Sequence, residues 1–158
     1  MSVLILGIGN SLLSDEGAGI HAINYLNRVH PASPGVNYMD GGTLSFTLAG
    51  PIAEADALIV IDAAQLGCEA GTLRVFEGVE MDSSLGANRK GSVHEVGLLE
   101  LMATTEMMGD LPRQRALIGI QPESLDWGEE PSAAVGEAIP DACERALELV
   151  RRWRGMES

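Results

Sequence analysis

Apolar positions fall in continuous runs at some places and at helical spacing at others. Val3 to Ile8 is an unbroken apolar run, the pattern of a strand buried on both faces. Gly7-Ile8-Gly9-Asn10 breaks it. Ser14 can cap a following helix, and Asp15-Glu16 puts acid in its first turn, where the dipole favours it. That helix runs to about Arg28, with Ile20, Ile23 and Leu26 at core spacing. Pro31, Pro34 and Gly35 punctuate; Val36 to Met39 then reads as a short strand and Asp40-Gly41-Gly42-Thr43 as a turn. A short helix around Ser45 to Ala55 leads to the clearest strand, Ala57 to Asp62. Thr72 to Phe76 is a further strand, and residues 78–92, with several Gly, Ser and Asp, read as a loop. Val93 to Met108 is a helix and Arg115 to Ile120 the last strand. Val135, Ile139, Ala142, Ala146, Leu149, Val150 and Trp153 mark a long amphipathic helix. Pro140 inside it predicts a kink or a later start.

Alternating buried strands and helices predict an α/β fold, a mostly parallel sheet covered on both faces. Ligands then bind beyond the carboxyl ends of the strands, which points to the turns after Ile8, Met39, Ile61 and Ile120. The 158 residues make one domain, 1–158, without internal repeats. Hydrophobic residues make up 46%, enough for a sizeable core, and aromatics only 4%, so that core is aliphatic. The net charge of −13 repels phosphate backbones and anionic bilayers, so neither nucleic acid nor membrane is expected as a partner. Two cysteines, Cys68 and Cys143, are too few for a disulfide framework. The longest apolar run is far short of a membrane span, and no basic residue precedes Arg28 as a signal peptide requires. A cytoplasmic, monomeric protein is the expectation.

Three residues stand out chemically. Asp62 follows five apolar residues at a strand end, where an acid is costly unless it is paired or binds something; the alternative is a turn or capping Asp. His94 sits where the loop becomes a helix and reads equally as a capping or solvated histidine, whereas His21 and His30 read as surface residues. Glu16 follows the first strand. All three can converge at one end of the sheet. Two carboxylates and an imidazole suit a borderline divalent metal such as nickel or zinc, with positions left open for substrate or water. Gly7-x-Gly9 lacks the third glycine of a dinucleotide fingerprint, because position 12 is Leu12. No Gly-x-Ser-x-Gly elbow exists, and Cys68 lies beside Glu69, which raises rather than lowers a thiol pKa.

Taken together, the motifs carry a resemblance. The stretch from Gly7 to Gly19 (GIGNSLLSDEGAG) closely resembles the opening signature of the hydrogenase maturation proteases. Asp40-Gly41-Gly42-Thr43, Ile61-Asp62-Ala63 and His94-Glu95-Val96-Gly97-Leu98 resemble their second, third and fourth signatures, and Ile120-Gln121-Pro122 with Trp127-Gly128 a further stretch. The resemblance implies a three-layer α/β/α sandwich around a twisted sheet of about five strands. It implies an endopeptidase that removes the C-terminal extension of a nickel–iron hydrogenase large-subunit precursor once nickel is inserted. The metal-contacting residues would be Glu16, Asp62 and His94. Asp40 is implicated in substrate choice and catalysis, which makes the expected activity an aspartyl-type hydrolysis.

In the mechanism this suggests, substrate-borne nickel docks on Glu16, Asp62 and His94 and water attacks the scissile bond, with Asp40 or a ligand carboxylate, Glu16 or Asp62, as general base. Alternatively the metal activates the water directly. The nickel is expected to arrive with the substrate, since one histidine and two carboxylates from distant segments hold a free ion weakly. Two other readings are a peptidyl-tRNA-hydrolase-like hydrolase, which shares a Gly-x-Gly-Asn turn, and a non-catalytic nickel-site chaperone.

Overall fold

The computed structural model describes residues 1–43, 46–87 and 93–155; the side chains of residues 46, 86, 87 and 93–96 lie outside that description. Five strands form one sheet: β1 (Val3–Gly7), β2 (Val36–Asp40), β3 (Ala57–Ala63), β4 (Leu73–Glu77) and β5 (Gln114–Ile120), in the order β2-β1-β3-β5-β4. All neighbours pair in parallel except β4, which runs antiparallel along β5 at the edge. The uninterrupted apolar runs of β1 and β3 follow from their central places, because every residue of both strands is buried.

Alternation along the strands divides the core in two. Val3, Ile5, Ile59, Ile61 and Ile118 face α1 (Ala18–Val29) and α5 (Ala133–Gly155). Leu4, Leu6, Leu58, Val60 and Leu117 face α2 (Ala49–Glu54), α3 (Val79–Ala87) and α4 (Val93–Met107). This is the expected three-layer sandwich. The helix α1 lies directly on the sheet because Gly19 allows it: a Cβ there would come within 2.2 Å of the Ile61 carbonyl and 2.4 Å of the Ile8 carbonyl.

Three local expectations change. Residues 79–87 are helical rather than loop. Their helix owes little to propensity; Met81 and Leu85, four apart, are buried in the core, and Asp82 takes a two-pronged grip on Arg115 of β5 at 3.0 and 2.5 Å. Ser14 does not cap α1. It sits in a short 3-10 turn (Ser14–Gly17) with a left-handed φ of 49°, and its hydroxyl donates to the Asp126 carbonyl at 2.7 Å. Pro140 does not delay α5, which begins at Ala133 and continues through it, giving up the bond that its missing N–H would make to the Gly136 carbonyl.

Candidate active site

Four connections leave the carboxyl end of the sheet, and they are tied to one another. Gly41 N–H donates to the Gly7 carbonyl at 2.8 Å and Gly9 N–H to the Gly42 carbonyl at 2.9 Å, joining the turns after β1 and β2. Ile8 N–H donates to the Ile61 carbonyl at 3.1 Å, joining the first turn to the end of β3. Gly9, with φ of 148°, lets the 3-10 turn fold back over it, since a Cβ there would lie 1.9 Å from the Glu16 carbonyl. Glu16 is thereby held half-buried on a turn that packs against β3.

Asp62 is 1% exposed, one residue from the end of β3 and opposite Gly119 of β5. It shares strand parity with Leu58 and Val60 and therefore faces the layer of α2, α3 and α4. The backbone of His94 belongs to the first turn of α4. That helix precedes β5, which starts at the opposite end of the sheet, so α4 opens at the end where Asp62 lies. The side chain of His94 lies outside the described residues. The fold thus brings Glu16, Asp62 and the start of α4 to one end of the sheet. Among the described residues no three His, Cys, Asp or Glu side chains form a metal-binding cluster.

Asp40 occupies the same end but a different face. It pairs with Gly7, which in turn pairs with Ile61, so its Cα is two strand spacings, about 10 Å, from β3. Its parity is that of Val36 and Tyr38, on the α1 and α5 side. Asp40 is exposed, and its Oδ1 accepts the Gly42 N–H at 2.8 Å. A cleft of about 550 Å³ opens at the β4 edge of the sheet, between Gln65 and Leu66 after β3, Arg74 and Phe76 of β4, and α3; Asp62 does not line it.

Asp15 is a residue whose importance the sequence reading missed. It is fully buried and ties residues 123–132 to the 3-10 turn. Its Oδ2 accepts the N–H of Glu123 at 2.8 Å, the N–H of Ser124 at 3.0 Å and the Ser132 hydroxyl at 2.8 Å, while Oδ1 accepts the Ser132 N–H at 2.6 Å. Burial alone would raise its carboxyl, but the bonds from Ser124, Glu123 and Ser132 together hold it below the usual carboxylate value. The available signal was the pair Asp15-Glu16 itself, because two adjacent acids on a short turn cannot both face the same way. His21, expected at the surface, is half-buried, and its Nε2 is buried without a hydrogen-bond partner. His30 is also half-buried, 3.4 Å from Glu144.

A family model described as hydrogenase maturation protease matches residues 20–149. The chain belongs to that family. It is similar to the hydrogenase expression/formation protein HupD of Rhizobium leguminosarum bv. viciae, with 40% identity over 152 residues, 96% of this chain and 75% of the relative. It is 32% identical over 151 residues to the hydrogenase 2 maturation protease of Escherichia coli strain K12, covering 95% of this chain and 88% of that one. Among solved structures, the hydrogenase maturating endopeptidase HybD from E. coli superposes with a TM-score of 0.89 at 30% identity, covering 96% and 93% of the two chains. The likeness to a peptidase therefore extends over the whole α/β/α sandwich, and the family member described here is a hydrolase. Among its described residues, no helix is long and apolar enough to cross a membrane.

Proposed function

We propose that this maturation protease removes the C-terminal extension of a nickel–iron hydrogenase large-subunit precursor in the cytoplasm, and that it reads the nickel already seated in that precursor. The observation that carries the reading is Asp62: an acid 1% exposed at the end of a central strand, with Glu16 on the turn packed against that strand and the first turn of α4, which bears His94, at the same end. A carboxylate in such a place is costly unless it is hydrogen-bonded, paired or binds a cation, and the end of the sheet, where Glu16 and the start of α4 also lie, suits the last of these.

Glu16, Asp62 and His94 complete the coordination of the precursor's nickel, and this fixes the scissile bond against the end of the sheet. Positioning of this kind converts an encounter into an intramolecular arrangement. Asp40 then takes a proton from the attacking water, in the manner of an aspartyl-type peptidase. Its Oδ1 accepts the Gly42 N–H at 2.8 Å, and the residue is exposed at the rim. The nickel belongs to the substrate. A protease that holds free metal weakly waits for a loaded precursor, which gives a checkpoint on metal insertion.

The test is incubation of the purified protease with nickel-loaded and nickel-free precursor, read by intact mass, together with elemental analysis of the protease alone. The expected result is loss of the C-terminal peptide from the loaded precursor only, and a protease without stoichiometric metal. Equal cutting of both precursors by a metal-bearing enzyme would overturn the proposal in favour of an ordinary metalloprotease. Binding without any mass loss would make the chain a nickel-site chaperone.

A further inference from the structure

Trp127 is 81% exposed, with Leu12 at 50% and Leu125 at 45%. Large apolar side chains are scattered singly on most surfaces; here backbone pairing sets Leu12 beside Trp127, and Leu125 precedes Trp127 by two residues in the same segment. Leu13 and Gly128 form a parallel bridge, with Ser14 N–H donating to the Gly128 carbonyl at 2.8 Å and Gly128 N–H to the Leu12 carbonyl at 2.9 Å. The register sets Leu12 opposite Trp127. Ser14 adopts a left-handed φ of 49°, a conformation rarely kept by a residue with a side chain unless its surroundings impose it. Here its hydroxyl, bonded to the Asp126 carbonyl, and the neighbouring anchor at Asp15 impose it. The chain thus strains one residue and buries one acid while it holds Trp127 in water opposite Leu12, two residues before Ser14 and the turn that carries Glu16.

We infer that Leu12, Leu125 and Trp127 form a docking platform for the hydrogenase large-subunit precursor, an inference that rests on the function proposed above. Its chemistry describes the partner face. The segment around Trp127 contains Glu123, Asp126, Glu129 and Glu130, all exposed, and no Lys or Arg occurs between Arg115 and Arg145. The complementary surface is an apolar patch with a basic rim, located beside the precursor's nickel site. A rigid tryptophan is the residue type most often found at the energetic centre of such interfaces, and the acidic rim speeds encounter. Because Leu12 and Leu13 continue directly into the turn that bears Glu16, and the Trp127 segment is tied to that turn through Ser132 and Asp15, docking there would register the nickel against the metal-reading residues.

The experiment compares wild type, Trp127→Ala and the control Met107→Ala, an exposed side chain at the far end of α4. Affinity for the purified nickel-loaded precursor is measured by biolayer interferometry at two salt concentrations, and cleavage is measured by mass. Melting curves confirm that each variant folds. Trp127→Ala is expected to weaken binding and raise KM by at least about tenfold with kcat little changed, while Met107→Ala matches wild type. Wild-type affinity should fall as salt rises. Wild-type affinity in Trp127→Ala, with cleavage proceeding normally, would overturn the platform and leave the proposed function standing. Weakened binding in a system where even wild type fails to cut would support the platform while refuting the proposed cleavage. Failure of wild type to bind the precursor at all would overturn both.

Discussion

Replacing Asp15 with alanine should detach one wall of the active-site end from the rest of the domain. Four donors, the N–H groups of Glu123, Ser124 and Ser132 and the Ser132 hydroxyl, converge on its carboxylate in a fully buried position. A hydrogen bond to a charged group contributes about 1.5–3 kcal/mol. The four do not add in full, because residues 123–132 lie near the surface and rehydrate once released. A net loss of about 3–5 kcal/mol is expected. At about 2.1 cal/mol/K per residue, 158 residues give an unfolding entropy near 0.33 kcal/mol/K, so the melting temperature should fall by about 9–15 °C. Asparagine should recover only part of this, since its NH2 would meet one of the four donors. Ser132→Ala removes the hydroxyl bond to Asp15 and a weaker one from Val135 N–H at 3.4 Å, and should cost about 1–2 kcal/mol. Because the two residues share a bond, the double variant should cost about 1 kcal/mol less than the sum of the singles. The assay is thermal melting followed by circular dichroism on all five proteins, wild type included. A melt of Asp15→Ala within about 3 °C of wild type, or strict additivity with Ser132→Ala, would refute the anchoring role.

Four further outcomes are expected. Gly9→Ala should abolish processing and depress the melting temperature, because its Cβ would lie 1.9 Å from the Glu16 carbonyl and push the turn off β3; an active, stable Gly9→Ala protein would show that Glu16 need not be held there. His94→Ala should abolish processing while changing stability by no more than about 0.5 kcal/mol, and an unfolded variant at assay temperature would make His94 structural instead. Cys68→Ala should process precursor normally, since the ionisable residue beside it in the sequence is Glu69, an acid that disfavours a thiolate, and complete loss in a folded variant would revive a thiol mechanism. Burial, reinforced by the Glu144 carboxylate, pushes the Cys143 thiol up to about 12, so it stays protonated in the fold while the unfolded chain releases its proton near pH 8.5. Its contribution to stability is therefore complete below that pH and is lost at about 1.4 kcal/mol per unit as pH rises toward about 12; urea melts of Cys143→Ala should show a shallower alkaline decline than wild type, and equal slopes would refute this.

What the sequence made legible depends on how far apart in the chain the causes lie. The runs Val3 to Ile8 and Ala57 to Ile61 announce central strands because burial on both faces is a purely local requirement. Asp62 announces itself for the same reason, as a charge where that local pattern allows none. The helix over residues 79–87 was hidden because its composition is that of a loop and its support comes from elsewhere: Asp82 reaches Arg115, 33 residues on, and Met81 and Leu85 fill the space against α4. The same distance effect is stronger at the functional end. Ser14 and Asp15 look like the start of a helix, yet their partners lie 108 to 117 residues away at Glu123, Ser124, Asp126 and Ser132. Local preference would cap α1 with Ser14; the structure spends that serine and a buried acid on holding a distant loop instead. Local rules yield at such places: under the proposed function the turn presents Glu16 on one side and supports Trp127 on the other, and distant contacts rather than local preference set its conformation. The conflict at Ser14 lies at the same end of the sheet that Asp62 marks from the core, the end to which the proposed function assigns the chemistry.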